Sequence, residues 1–212
     1  MIQQRTDDWF KDRLGKFTAS KIHLLYSVGK SGKMTQGLET YIYEKVVEEM
    51  TQHWEETDSP AMKWGRTMEP KAIGIFELYH NKIVSEAPFV LHPDYKQHSG
   101  GSPDGLVDGE SAIIEVKCPY NSVNHIRYLS CRTPEDFFKE TKEYMCQIQW
   151  NCEVTESELG YFISYDPRLL DSPLHVLEIP RDEDIISSIK AGLDMAIEKK
   201  MAILKEFSDT WE

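Results

Sequence analysis

The chain has 212 residues, of which 40% are hydrophobic and 28% charged, and its formal net charge is −12. These values are typical of one globular domain with a sizeable core. No apolar run approaches the roughly 18 residues that a membrane span requires, and the N-terminus has no apolar signal-peptide core. We therefore expect a cytoplasmic protein without a membrane partner.

The charge is unevenly distributed along the chain. Residues 1–33 contain seven basic and three acidic side chains, a net of +4, so the remaining residues carry −16. A basic segment on an acidic body is compatible with a local phosphate-binding surface. It is equally compatible with a solvated face on an acidic protein, and charge alone leaves both interpretations open.

The first half of the chain is predicted to be mainly helical. We expect a flexible basic loop at Gly29–Gly37 and a polar break at residues 51–60. A short helix that Ser20 opens or caps is predicted to end at Leu25. The other predicted helices are Trp9–Arg13, Leu38–Met50 and Ala61–His80. Pro70 is expected to interrupt the last of these. Glu69 precedes the apolar Ala72 and Ile73 by three and four residues, which predicts that it faces the buried side.

The second half of the chain alternates strands and helices. The predicted strands are Ile83–Leu91, one within residues 98–107, Ala112–Lys117, Leu159–Tyr165 and His175–Ile179. The predicted helices are Phe137–Cys152 and Asp182–Phe207, and Asp108–Glu110 is the predicted hairpin turn. This order predicts a single α/β (α+β) domain over residues 1–212, with a mixed central β-sheet flanked by helices. Its basic N-terminal helices lie within residues 1–33 and its catalytic core within residues 61–181.

The stretch SPDGLVDGESAIIEVKCP carries the chemistry. Glu115 and Lys117 alternate on one strand, so their side chains point to the same face, and a short hairpin places Asp104 beside them. Converging carboxylates repel each other unless a divalent cation is bound. Oxygen ligands of this kind suit Mg²⁺ or Mn²⁺, and the main-chain carbonyl of Val116 can add a ligand. Glu69 supplies a third carboxylate.

An isolated D…ExK pattern is short, and an exposed surface hairpin explains most of its occurrences. Here Glu115 and Lys117 lie in the apolar strand AIIEVKCP, where unpaired charges are costly. That context favours a functional site.

SPDG followed by IEVKCP resembles the PD-(D/E)XK nuclease signature. Four further segments resemble blocks of the lambda exonuclease and YqaJ-type viral recombinases, in the same order and over roughly residues 3–181. These segments are QRTDDWFKDRLGKFTASKI, KWGRTMEP, YMCQIQW and YFISYDPRL. The resemblance implies a restriction-endonuclease-like fold and a Mg²⁺-dependent 5′→3′ exonuclease. Such an enzyme degrades one strand of duplex DNA, releases 5′-mononucleotides and leaves 3′ single-stranded tails for recombination by strand annealing.

The resemblance also implies roles for individual residues. Two metal ions would be held by Glu69, Asp104, Glu115 and the Val116 carbonyl. Lys117 would position the attacking water and Gln147 would lie in the site. The terminal 5′-phosphate and the DNA would be contacted by Arg13, Ser20, Ser102, Lys30 and Tyr144. A homotrimeric ring, a single-strand annealing protein as partner, and a bacterial or phage-infected cell are further expectations.

Three alternatives stay open at this point. An endonuclease of the same fold would use the same carboxylates and lysine without a terminal-phosphate pocket. A DNA-binding module could keep the fold and lack catalysis. For single residues, Arg13 could form a surface salt bridge with Asp7 or Asp8, and Tyr144 could belong to a polar helix edge.

Overall fold

The computed structural model describes residues 7–54 and 58–209. The helices in these ranges are α1 Asp7–Arg13, α2 His23–Ser31, α3 Gln36–Thr51, α4 Pro60–His80, α5 Ser122–Ser130, α6 Pro134–Glu140, α7 Lys142–Thr155 and α8 Glu183–Asp209. The strands are β1 Phe17–Thr18, β2 Val84–Ser85, β3 Val90–Leu91, β4 Ser99–Gly101, β5 Gly105–Val107, β6 Ala112–Lys117, β7 Leu159–Tyr165 and β8 Leu174–Pro180.

The central sheet has five strands in the order β2-β5-β6-β7-β8. Its strand pairs are antiparallel except β6 and β7, which run parallel and are joined through the helices α5, α6 and α7. A smaller sheet has the order β1-β4-β3. Residues 102–104 lead from β4 of the small sheet to β5 of the central one, so Asp104 lies where the two sheets meet. The predicted mixed sheet flanked by helices is confirmed.

Two apolar cores lie on opposite faces of the central sheet, and β6 contributes to both. Ile113 packs into the larger core, which includes residues of α2, α3, α7 and α8. Ile114 and Val116 pack into the smaller core with Met68 and Phe76 of α4. This alternation confirms the predicted faces of the strand and leaves Glu115 on the α7 side.

Helix α4 runs without interruption through Pro70, so the predicted break is wrong. Pro70 lies on the exposed side of the helix, where water can satisfy the carbonyl that a proline leaves unbonded. Ser59 begins the helix by accepting a hydrogen bond from the amide of Met62. Glu69 therefore stays in regular helical geometry.

Two other predicted elements are divided in the structure. The strand predicted at Ile83–Leu91 is two short strands in different sheets, because the intervening Pro88 has no N–H to donate to a ladder. The helix predicted at Phe137–Cys152 is α6 and α7, separated at Thr141, whose side chain caps α7 by accepting from the amide of Tyr144. Helix α5 and strand β1 were not predicted.

The predicted loop Gly29–Gly37 is also wrong in its first part, because α2 continues to Ser31. Gly29 allows α2 to lie directly on α8: a Cβ at this position would be 1.8 Å from the carbonyl oxygen of Ser188. Ser20 lies in a 3-10 turn, Ala19–Lys21, and its side chain does not cap α2.

The turn after α1 is held by charged side chains of α3 and α8. The amide of Gly15 donates to Glu48 Oε2 at 3.0 Å, and its carbonyl accepts from Lys200 Nζ at 2.6 Å. Lys200 of α8 is completely buried and also pairs with Glu49. Helices α3 and α8 together thus fix the turn that follows Arg13.

Across the described residues, no helix combines the length and apolar character required to cross a membrane.

Candidate active site

Asp104 is placed beside β6 by two hydrogen bonds. Its amide donates to the carbonyl of Ile114 at 3.1 Å, and its Oδ2 accepts from the amide of Val116 at 2.6 Å. Asp104 comes directly before β5, which pairs with β6. The hairpin therefore brings Asp104 next to the strand that carries Glu115 and Lys117, as predicted.

Glu115 lies between two hydrogen-bond donors. Lys117 Nζ donates to its Oε1 at 2.6 Å, and Asn151 Nδ2 donates to its Oε2 at 3.1 Å. Glu115 is 1% exposed, whereas 24% of the Lys117 side chain is exposed. The carboxylate is thus buried behind a lysine whose ammonium group reaches the surface of the site.

Sequence reasoning did not single out Asn151. The sequence did contain an indication of its position. Tyr144, Gln147 and Asn151 are spaced three and four residues apart and therefore share one face of α7.

Asp104 and Glu115, when both are ionised, place two negative charges beside the single ammonium group of Lys117. Burial raises the pKa of Asp104 well above its ordinary value, and the charges of Glu115 and Glu69 raise it further. Burial, with a contribution from Glu69, also raises the pKa of Glu115. Burial alone would lower the pKa of Lys117, but Glu115 and Asp104 raise it above its usual range. Lys117 is consequently protonated.

The donor set fits a hydrated divalent cation. Glu69 on α4 is half-buried, and it lies near enough that its charge affects the pKa of both other carboxyl groups. Within residues 7–54 and 58–209, no three His, Cys, Asp or Glu side chains come together as a ready-made metal cage. Mg²⁺ does not require one, because it keeps several waters and commonly takes one or two carboxylates. Surplus negative charge on oxygen donors is what such an ion would neutralise.

Tyr144 and Gln147 lie on the face of α7 that is turned to the site. The ring centroid of Tyr144 is 4.6 Å from Lys117 Nζ, and the ring also packs against Phe162. Gln147, half-buried, is between Tyr144 and Asn151 on this face. The structure therefore places the Tyr144 ring in contact with Lys117 rather than on a detached polar edge.

Arg13 is brought near the strand junction by an aromatic contact. Its guanidinium lies 4.1 Å from the ring centroid of Trp9 and 5.3 Å from that of Phe89, and burial lowers its pKa to about 10. Trp9 Nε1 donates to Ser102 Oγ at 3.4 Å. Because Ser102 is two residues before Asp104, this chain of contacts joins Arg13 to the carboxylate site. The structure describes the backbone of Asp7 and Asp8 but not their side chains, so the alternative salt bridge to either residue lies outside what is described.

A cleft of about 350 Å³ brings Arg13 and Ser20 together, with Thr18, Lys21 and Lys45 also in its wall. Ser20 Oγ is 3.3 Å from Thr18 Oγ1.

Lys30, by contrast, is exposed in the last turn of α2. It does not line this cleft. Four predicted DNA-contact residues thus lie at or beside the site, namely Arg13, Ser20, Ser102 and Tyr144, and Lys30 lies apart from them.

The central mixed sheet, with Asp104 and the lysine-paired Glu115 at its middle strand β6, defines a restriction-endonuclease-like protein. Residues 8–158 match the YqaJ-like viral recombinase domain. The chain belongs to this family.

Similarities to two solved structures and one curated protein accompany the family match. The chain is similar to the alkaline exonuclease LHK-Exo from Laribacter hongkongensis, with a TM-score of 0.82, 28% identity and 97% coverage of each chain. It is also similar to LHK-Exo in complex with dAMP, with a TM-score of 0.80, 29% identity and 97% coverage of each chain. ExoD of Escherichia coli (strain K12) is 35% identical over 72 residues, which are 32% of this chain and 83% of that protein.

Proposed function

We propose that this chain is a Mg²⁺-dependent exonuclease that degrades one strand of duplex DNA in the 5′→3′ direction from a 5′-phosphorylated end. The products would be 5′-mononucleotides and a 3′ single-stranded tail. The observation that carries the proposal is the meeting of Asp104, Glu115 and Lys117 with uncompensated negative charge. Membership of the recombinase family and the likeness to an alkaline exonuclease support it. The dAMP complex of LHK-Exo supports a nucleoside monophosphate as product.

Asp104, Glu115, Glu69 and the main-chain carbonyl of Val116 would hold two Mg²⁺ ions, with Mn²⁺ as a substitute. Bound there, divalent ions would supply Lewis acidity toward the scissile phosphate and a lowered pKa for the attacking water. Lys117, kept protonated by its bond to Glu115, would donate to that water or to a phosphate oxygen and stabilise the charge that develops on it. Gln147 and Tyr144 would line the reaction space.

The direction of degradation would come from the cleft that contains Arg13 and Ser20. Arg13 lies against Trp9, and a guanidinium held in this way can contact a phosphate with two parallel hydrogen bonds at little conformational cost. Ser20 adds a hydroxyl group, and Ser102 lies behind Trp9. Lys30 would contact the duplex farther from the end.

The decisive experiment is a polarity assay on linear duplex DNA carrying a label at either end and either a 5′-phosphate or a 5′-hydroxyl group. We expect cleavage that requires Mg²⁺, proceeds from the 5′ end and is faster on the phosphorylated end. Arg13→Ala should remove most of this preference, whereas Arg127→Ala, which changes an exposed arginine on α5, should keep it. Degradation from the 3′ end would contradict the proposed direction.

The same assay decides between the remaining function classes. Cutting of covalently closed circular DNA would favour an endonuclease of this fold. Absence of any Mg²⁺-dependent cleavage by the wild type would favour a DNA-binding module. Under our proposal, Lys117→Ala abolishes cleavage while duplex binding persists.

The proposed assembly is a homotrimeric ring that hands its 3′ tail to a single-strand annealing protein. The support for this assembly is the family resemblance alone. Light scattering of the purified chain measures its oligomeric state, and a monomer or dimer at working concentration would contradict the ring.

A further inference from the structure

Asn151 of α7 contains a buried polar atom that the fold leaves unsatisfied. The residue is completely buried. Its Nδ2 donates to Glu115 Oε2, but its Oδ1 has no hydrogen-bond partner among the residues that the structure describes. Leaving a buried carbonyl unpaired costs stability. A side chain kept for stability alone would not need this arrangement.

The orientation of the amide is fixed by chemistry. A flipped amide would place its oxygen against the carboxylate of Glu115, and two acceptors would then face each other. The nitrogen must therefore face Glu115, and the oxygen faces Gly101. A Cβ built at Gly101 would lie 2.5 Å from Asn151 Oδ1 and 2.8 Å from Val154 Cγ2.

Gly101 ends β4, three residues before Asp104. Asn151 is consequently placed between the segment that leads to Asp104 and the strand that carries Glu115. Only a residue without a side chain at position 101 permits this close approach.

We propose that Asn151 is a positioning residue that fixes the carboxylate of Glu115 for metal binding, an inference that rests on the proposed nuclease function. Two donors hold the carboxylate from its two ends, Lys117 at Oε1 and Asn151 at Oε2. Each oxygen keeps lone-pair capacity for a cation after accepting one bond. Outer residues that orient metal-ligating carboxylates typically change metal affinity or activity by about 10- to 100-fold when removed.

Gln149 provides a matched control on the same helix. It is also buried, at 1% exposure. Its Nε2 donates to the Pro180 carbonyl at 2.9 Å and its Oε1 accepts from the Asp182 amide at 2.8 Å. Both ends of this amide are paired, and its partners lie at the connection between β8 and α8, away from the carboxylates. Its removal should affect stability without affecting the site.

The test compares Asn151→Ala with Gln149→Ala in two measurements. For Asn151→Ala, we expect kcat to fall about 10- to 100-fold with little change in the KM for DNA. We also expect Mn²⁺ affinity, measured by calorimetry without DNA, to weaken. Gln149→Ala should lower the melting temperature and leave both kcat and Mn²⁺ affinity close to wild type. Equal losses in the two variants would overturn the proposal, because a purely structural role predicts them.

Asn151→Asp separates positioning from packing, since it keeps the volume and replaces the donor by an acceptor. We expect it to lose as much kcat as Asn151→Ala. Wild-type kcat in this variant would mean that only volume matters, and the proposal would then be wrong.

Gly101→Ala tests the same contact from the other side. It should reduce kcat and weaken Mn²⁺ binding by displacing Asn151. In a double-mutant cycle, the combination with Asn151→Ala should be no worse in kcat than Asn151→Ala alone. Additive losses would show that the two positions act independently and would contradict the inference.

The two proposals fail in different ways. If the wild type shows no Mg²⁺-dependent cleavage, the nuclease function fails, and Mn²⁺ calorimetry alone still supports or overturns the role of Asn151. If the wild type cleaves DNA and Asn151→Ala matches it in kcat and Mn²⁺ affinity, only the positioning role fails.

Discussion

Helix α7 contacts two charge clusters of opposite character, each of which contains a buried glutamate. Through Asn151 it reaches Asp104, Glu115 and Lys117, which we proposed above to be catalytic and which we call the catalytic cluster. Two residues later, Glu153 is the centre of a second group, which we call the Glu153 cluster and which includes His92, Arg181 and Lys190. Glu153 pairs with Arg181, with His92 Nε2 at 3.0 Å and with Lys190 Nζ at 2.5 Å.

The pKa shifts of the two clusters run in opposite directions. Burial alone would raise the pKa of Glu153, but its bonds to Lys190 and Arg181 lower it to about 2. In the catalytic cluster, burial and neighbouring carboxylates raise the pKa of Asp104 and Glu115. One cluster is satisfied within the protein, and the other has a surplus of negative charge. The Glu153 cluster therefore stabilises the fold, whereas the catalytic cluster reduces stability and is suited to bind a ligand.

The largest effect should come from Asp104→Asn, which removes a charge from the catalytic cluster and keeps an acceptor for the amide of Val116. We expect nuclease activity to fall by at least about 10²–10³-fold. Because repulsion with Glu115 is relieved, the melting temperature without metal should rise by about 2–4 °C for each kcal/mol gained. Asp108→Asn, at the exposed hairpin turn, is the control. A lower melting temperature for Asp104→Asn would contradict the charge argument.

The second prediction concerns Glu153→Ala, which leaves Arg181 and Lys190 without their shared carboxylate. Removing one partner of a buried pair costs about 3–5 kcal/mol. We expect about 2–3 kcal/mol here, because Arg181 and Lys190 are partly exposed and solvent screens them. Urea unfolding measures the loss of unfolding free energy. At urea concentrations below the unfolding transition, kcat should stay near the wild-type value. Glu158→Ala, an exposed acidic residue just after α7, should change neither quantity.

The third prediction is a pH dependence of the Glu153 cluster. The folded-state pKa of Glu153 lies near 2 and its ordinary value is 4.5. Its stabilising contribution is therefore complete above about pH 4.5 and is lost as the pH falls toward 2. The difference in unfolding free energy between the wild type and Glu153→Gln should shrink over this interval. A difference that stays constant down to pH 2 would show that the carboxylate is not ionised in the way its partners imply.

The smallest predicted effect tests the contact of Tyr144 with Lys117. A cation–π contact contributes about 0.5–2 kcal/mol, depending on desolvation. Tyr144→Leu should therefore reduce kcat by about 2- to 30-fold, whereas Tyr144→Phe keeps the ring and should remain near wild type. If the two variants are equally impaired, the hydroxyl group and not the ring is what the site uses.

The catalytic cluster could be predicted because its geometry is local. The alternation of β6 and a short hairpin are enough to bring Asp104, Glu115 and Lys117 together. Asn151 and the Glu153 cluster could not be predicted in this way, because their partners are far apart in the chain and meet only through tertiary packing. The same holds for the link from Arg13 to Ser102, because both residues contact Trp9 and not each other.

The errors in the fold have similar physical causes. Strands of two or three residues, such as β2 and β3, are defined by their partners and not by their own sequence. Helix α4 tolerates Pro70 because this residue lies on its exposed side. The hydrophobic periodicity of the sequence alone did not show this. Gly29 suggested a loop because glycine is common in loops. In the structure it lies within α2 and permits close packing against α8.

The bond from Lys200 to the carbonyl of Gly15 joins positions 185 residues apart. Protein synthesis makes the turn after Arg13 well before it makes the lysine that holds this turn. A nascent chain that has reached the end of β8 already contains every residue of the catalytic cluster. It still lacks the support that fixes its N-terminal turn. During synthesis, the turn beside the proposed 5′-phosphate cleft therefore gains this support only after the residues proposed to be catalytic have been made.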